Sequence, residues 1–118
     1  MSKLAEAIAR EEGFFVEGSM PQRQCNPGDL RHAPGETHPG NPDAVGCFPD
    51  AATGWAALER QLGLYASRGM TVQQAIYEFA PPSENDSAAY LAYVCQYVPC
   101  MPSDFVSDVL TIPGDLNL

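Results

Sequence analysis

Lys3-Leu-Ala-Glu-Ala-Ile-Ala-Arg-Glu-Glu-Gly-Phe-Phe15 is the stretch on which the reading of this chain turns. Leu4, Ala5, Ile8 and Ala9 recur at helical spacing, with Lys3, Glu6 and Arg10 on the other side, so Ser2 to Glu12 is expected to form an amphipathic helix that Gly13 stops. At about 100° per residue, the apolar positions, together with Phe15 if the turn extends that far, centre on a direction within about 20° of Glu12. Glu11 points about 80° away from it. Glu12 is therefore expected among apolar neighbours. Burial penalises an ionised carboxylate, so such a residue holds its proton near neutral pH and can deliver it as a general acid. The competing reading is an ordinary helix-end acid that reaches solvent or pairs with Arg23 or Arg31; on helical pattern alone that is the commoner case.

Beyond this helix, residues 13–50 carry six of the ten glycines and six of the eleven prolines, which predicts a long irregular region with at most a short hairpin. Stretches of that length are more often functional than not. Asp50 or Thr53 can then cap a second helix to about Ser67, with Trp55, Leu58, Leu62 and Tyr65 on one core stripe and Gly69 as the stop. Thr71 and Gln74 make a capping box for a third through about Phe79, ended by Pro81-Pro82. Asn85 or Asp86 can cap a fourth through about Tyr97, and Ser103 a short fifth through about Leu110 before Pro113. The expected fold is mainly α, a single small helical domain over residues 1–118.

Length and charge narrow the function. A chain of 118 residues suits one hydrophobic core. Six Lys and Arg against fifteen Asp and Glu give a net charge of −9, and every basic residue lies at or before position 68. No Lys/Arg cluster exists to track nucleic-acid phosphates or to hold an anionic membrane surface. The richest apolar run, Tyr90 to Met101, is too short to span a bilayer and is interrupted by Gln96 and Pro99. Glu6, Arg10, Glu11 and Glu12 exclude an apolar signal core at the N-terminus, leaving a cytoplasmic chain, export by another route, or a mature form behind an added methionine.

Cys25, Cys47, Cys95 and Cys100 form an even set. Their positions suggest the local pairs Cys25–Cys47 and Cys95–Cys100 among three connectivities, and free buried thiols fit a reducing compartment equally well. A zinc site from Cys25, His32, His38 and Cys47 lacks the close Cys-x2–4-Cys pair of most structural zinc sites, so no metal or other cofactor is assigned.

Four blocks carry a family resemblance: Ala7-Ile-Ala-Arg-Glu-Glu-Gly-Phe-Phe15, Arg23-Gln-Cys-Asn-Pro-Gly-Asp-Leu-Arg31, Phe48-Pro-Asp-Ala-Ala-Thr-Gly-Trp-Ala-Ala-Leu58 and Ala80-Pro-Pro-Ser-Glu-Asn-Asp-Ser-Ala-Ala-Tyr90. In this order they resemble phage and prophage proteins of the lysozyme-like superfamily, related to lytic transglycosylases. Those proteins carry a helix ending in Glu-Gly, an Asn-Asn-Pro-Gly-Asn-Leu-Arg-type loop, a Gly-Trp helix and a Pro-Pro-x-Glu-Asn-Asp turn.

The resemblance implies a lysozyme-like fold and cleavage of the β-1,4 bond between N-acetylmuramic acid and N-acetylglucosamine in peptidoglycan, by a monomer acting at the bacterial cell wall. It selects Glu12, before Gly13, as the acid that protonates the glycosidic oxygen; Glu11 stays as the alternative. Cys25 stands where the first Asn of the loop is expected. Arg23, Asn26 and Asp29 become candidate substrate contacts, although Asn-Pro-Gly-Asp is also turn chemistry by itself. Tyr90 and Tyr77 are expected near Glu12 or in the sugar cleft, with core packing as the alternative.

A hydrolase needs a second carboxylate roughly 5–10 Å from the first, and Asp29, Glu36 and Asp50 are the candidates; a lytic transglycosylase needs none, because the substrate's own 6-hydroxyl attacks. On this reading Arg23 and Arg31 attract the anionic glycan and the acidic half of the chain, residues 69–118, faces away from the cleft. The alternatives are a non-catalytic lysozyme-like module, either a wall binder or a phage structural protein, and, more remotely, a zinc-stabilised interaction domain.

Overall fold

The computed structural model describes residues 1–38 and 45–116. Among these residues six helices follow one another: α1 (Lys3–Glu11), α2 (Met20–Arg23), α3 (Ala51–Ser67), α4 (Val72–Phe79), α5 (Ser87–Tyr97) and α6 (Val106–Val109). Among the described residues there is no β-sheet, only three isolated antiparallel bridges. No helix among them is long and apolar enough to cross a membrane. The mainly helical expectation holds, and the start of each long helix has a local chemical cause. Ser2 caps α1, Asp50 caps α3 and Asp86 caps α5, each side chain accepting a backbone N–H three residues on. Thr71 and Gln74 form the reciprocal capping box of α4.

Leu4, Ile8, Trp55, Leu58, Leu62, Tyr65, Ile76, Tyr90 and Val94 meet in one core, so the predicted stripe of α3 is buried as a unit. Helix α1 lies between α3 and α5, and α5 also packs on α4. A smaller cluster of Leu30, Phe48 and Ala57 anchors the irregular region to α3.

Three expectations need correction. Helix α2 falls inside the stretch read as irregular, where Ser19 supplies a side-chain cap and Pro21 occupies the first turn that tolerates it. Ser103 does not cap the last helix. The chain stays extended through Phe105 because residues 70–72 and 104–106 pair by backbone bonds, Val72 N–H to Asp104 O at 2.8 Å and Val106 N–H to Met70 O at 3.0 Å, so α6 begins only at Val106. Glu6, expected on the polar face of α1, is fully buried. The end of the chain folds over it, and its carboxylate accepts the N–H groups of Asp115 at 3.0 Å and Leu116 at 2.5 Å.

Of the expected hairpin, the pairing of Thr37 with Cys47 is present, with two backbone bonds of 2.8 Å. Its connecting turn lies outside the described residues.

Candidate active site

Glu12 is the C-cap of α1. The next residue, Gly13, takes φ 84°, a left-handed conformation that glycine adopts without steric cost. From there Gly13 N–H bonds Arg10 O at 3.2 Å and Phe14 N–H bonds Ala9 O at 3.0 Å, the pattern of a Schellman ending. Phe14 is thereby turned edge-on to Trp55, with ring centres 5.3 Å apart. The helix end is pinned on both sides of Glu12, so its carboxylate is aimed rather than frayed.

The carboxylate lines a cleft of about 600 Å³ together with Gly28, Asp29 and Arg31 of the loop after α2, Gln61 and Tyr65 of α3, Glu78 and Phe79 of α4, and Glu84 and Asn85 before α5. Residues from three of the four sequence blocks therefore meet in one place. The remaining block forms the support behind the loop: Gly54 on α3 packs so closely on the loop that a Cβ there would overlap the Cys25 carbonyl.

Tyr90, buried on α5, donates its hydroxyl to Glu12 Oε2 at 2.7 Å. Burial pushes the Glu12 carboxyl up to about 7, an effect the Tyr90 hydrogen bond opposes and the nearby Asp29 and Glu11 charges reinforce. Tyr90 is itself driven well above the ordinary phenol range, by burial first and by the Glu12 charge next, so it remains a donor. Glu11, by contrast, is exposed and does not line the cleft, as the helical-face argument requires.

The loop wall is held from within. Asn26 is completely buried; its Nδ2 donates to Leu30 O at 2.9 Å and to Gly46 O at 2.8 Å, and its Oδ1 accepts Leu30 N–H at 2.9 Å. With no surface to offer, Asn26 is corrected from a substrate contact to the brace of the loop. Asp29, held at φ 52°, does reach the cleft, and burial raises its carboxyl while Arg31 pulls it down. Of the three candidate second acids it is the one in the cleft: Asp50 is occupied as the α3 cap, and Glu36 contacts His38.

Three further expectations change. Tyr77 lines a separate hollow with Thr71, Gln74 and Pro102, because it projects from a different side of α4 than Glu78 and Phe79. Arg23 is exposed on α2 and does not line the cleft, whereas Arg31 does. The acidic half does not turn away either, since Glu78 and Glu84 both line the opening.

Those two acids and Gln61 are not among the site residues expected from the sequence. Glu84 sits inside the Pro-Pro-Ser-Glu-Asn-Asp block, and Gln61 lies one turn before Tyr65 on the same face of α3, so each carried a local signal. Glu78 had none.

The four cysteines are free thiols here. The Cys95 and Cys100 sulfurs lie 3.7 Å apart, and Cys25 and Cys47 flank the backbone bond from Phe48 N–H to Gln24 O. The chemistry available in the cleft is proton donation by Glu12 beside a second carboxylate, Asp29. No family model, curated protein or solved structure matches the chain.

Proposed function

We propose that the protein is a peptidoglycan-cleaving glycosidase of lysozyme-like fold, a muramidase or lytic transglycosylase that acts at the bacterial cell wall. The observation that carries this reading is Glu12: a pinned, largely buried carboxyl in an open cleft, held by the Tyr90 hydroxyl at 2.7 Å and raised by burial to about 7. A carboxyl poised there is protonated for a large part of the time near neutral pH, as protonation of a departing glycosidic oxygen requires.

In the proposed reaction the glycan lies along the cleft with its scissile bond at Glu12. Glu12 gives its proton to the bridging oxygen as the bond to the anomeric carbon breaks, and Tyr90 then donates to the carboxylate left behind. The anomeric carbon is captured either by the muramoyl 6-hydroxyl, with Glu12 taking back a proton, or by a water that Asp29 deprotonates. Arg31 is the cleft's own counter-charge for an anionic substituent.

Digestion of purified peptidoglycan followed by mass spectrometry tests this directly. Wild type should release muropeptides with anhydro or reducing ends, and Glu12→Gln should lower the rate at least ~100-fold. Equal activity, or equal inertness, of the two defeats the proposal.

One observation favours a second reading. Glu78 and Glu84 add negative charge to the cleft beside Asp29, and an anionic strand is repelled by such a surface. A non-catalytic lysozyme-like module that meets a protein partner in a phage particle would tolerate this. It expects no released product from wild type or Glu12→Gln and no co-sedimentation with sacculi.

A further inference from the structure

A second group of chemistry-bearing side chains lies apart from the cleft, in the segment that follows Arg31. Ala33-Pro34-Gly35 makes a turn, closed by Glu36 N–H to Ala33 O at 3.2 Å and using φ 91° at Gly35. The chain then runs extended, with Thr37 paired to Cys47 through the backbone. In an extended segment alternate residues share a face, so Glu36 and His38 project together on the side away from Thr37. The turn brings His32 back over them. The His32 and His38 rings stack with centres 5.1 Å apart, and His38 Nε2 lies 2.7 Å from Glu36 Oε1. One donor atom from each of His32, Glu36 and His38 falls within 4.8 Å of the other two.

Two features point to something that this trio should hold. The Glu36 side chain is only 2% exposed and that of His38 14%, and both Glu36 Oε2 and His38 Nδ1 are buried with no hydrogen-bond partner among the described residues. Buried polar atoms in native proteins are nearly always satisfied, so orphaned acceptors on two converging side chains ask for a cation. Space is also reserved for the carboxylate: a Cβ on Gly46 would overlap it.

We propose that His32, Glu36 and His38 form a binding site for a divalent transition-metal ion, zinc foremost. Two imidazoles and a carboxylate suit such an ion, and tetrahedral bonds of about 2.0–2.2 Å place donors roughly 3.3 Å apart, which small side-chain rotations from the present positions achieve. The fourth position, on the exposed His32 side, is left to water. The ion ties the turn to the Thr37–Cys47 pairing and so braces the segment that starts at the cleft residue Arg31. The thiols of Cys25 and Cys47 take no part, and the site stands whether or not the cleft is catalytic.

The full reduced chain titrated with zinc chloride against a chromophoric chelator tests the assignment, with thermal melting in parallel. One zinc per chain is expected. His32→Ala and His38→Ala should weaken it at least ~10-fold and abolish the zinc-dependent rise in melting temperature, while Cys47→Ser and Cys95→Ser leave both unchanged. His32 is exposed, so His32→Ala should fold, and circular dichroism verifies that it has. Absence of micromolar binding overturns the proposal, and so does binding that survives both histidine substitutions or is lost with either cysteine.

Discussion

At Glu12 stability and chemistry pull in opposite directions. Its carboxyl ordinarily titrates near 4.5 and is raised to about 7 in the folded protein. Between those values the folded state keeps a proton that the unfolded chain releases, so stability falls as pH rises from about 4.5 to 7 and then levels off. The full shift corresponds to about 3 kcal/mol, reduced to about 1–2 kcal/mol for a side chain that solvent still reaches. Glu12→Gln removes this penalty. The variant should melt several degrees higher than wild type at pH 8 and close to it at pH 4.5, while losing activity. A variant that melts lower at pH 8 would show that the carboxylate is not disfavoured there.

Tyr90→Phe tests the partner. The lost hydrogen bond favoured the ionised form, so the Glu12 pKa should climb further and the alkaline limb of the activity profile should move up by about one pH unit. An unmoved limb would separate Tyr90 from the acid. The sequence revealed Glu12 because helical periodicity is a local property. It concealed Glu6 because the groups that cover it, Asp115 and Leu116, lie more than a hundred residues away.

Among the elements, α3 is the backing plate of the cleft, and its two glycines make opposite predictions. Gly54→Ala drives a methyl into the Cys25 carbonyl, backbone that cannot swing aside, and toward the Pro27 ring. It should cost about 1–3 kcal/mol even after the gain in helix propensity, and it should shift the loop that carries Asp29 and Arg31. Gly63→Ala meets nothing within 4 Å and should add about 0.5–1 kcal/mol. Urea midpoints distinguish the two, and equal signs would contradict the packing.

Caps, stops and core stripes of the long helices were legible because each is written within four residues of where it acts, as at Thr71 and Gln74. The start of α6 was not. It is set by pairing with Met70 and Val72, across the turn that Gly69 begins. Similarly, Tyr77 and Phe79 are both large and aromatic, and only the packing of α4 decides which of them faces the cleft.

For the whole molecule the last residues matter more than their position suggests. Glu6 depends on two N–H groups from the tail, so deleting residues 115–118 leaves a buried carboxylate without those donors. The deletion should destabilise by about 2–4 kcal/mol, read from chemical denaturation. In a Glu6→Leu background the same deletion should cost markedly less, and an equal cost would assign the loss to something other than Glu6. Lys3 and Asp115 contribute little to this, since the Asp115 side of their 3.6 Å ion pair is largely exposed to solvent.

The two ends of the described chain are also stitched together. Lys3 N–H bonds Ile112 O at 2.9 Å, Gly114 N–H bonds Met1 O at 2.8 Å, and Ser2 bridges Pro113. Entry and exit thus share one small area of surface. A pull that separated Met1 from Gly114 would load these few backbone bonds first, so the seam would part before the helices of the core felt the strain.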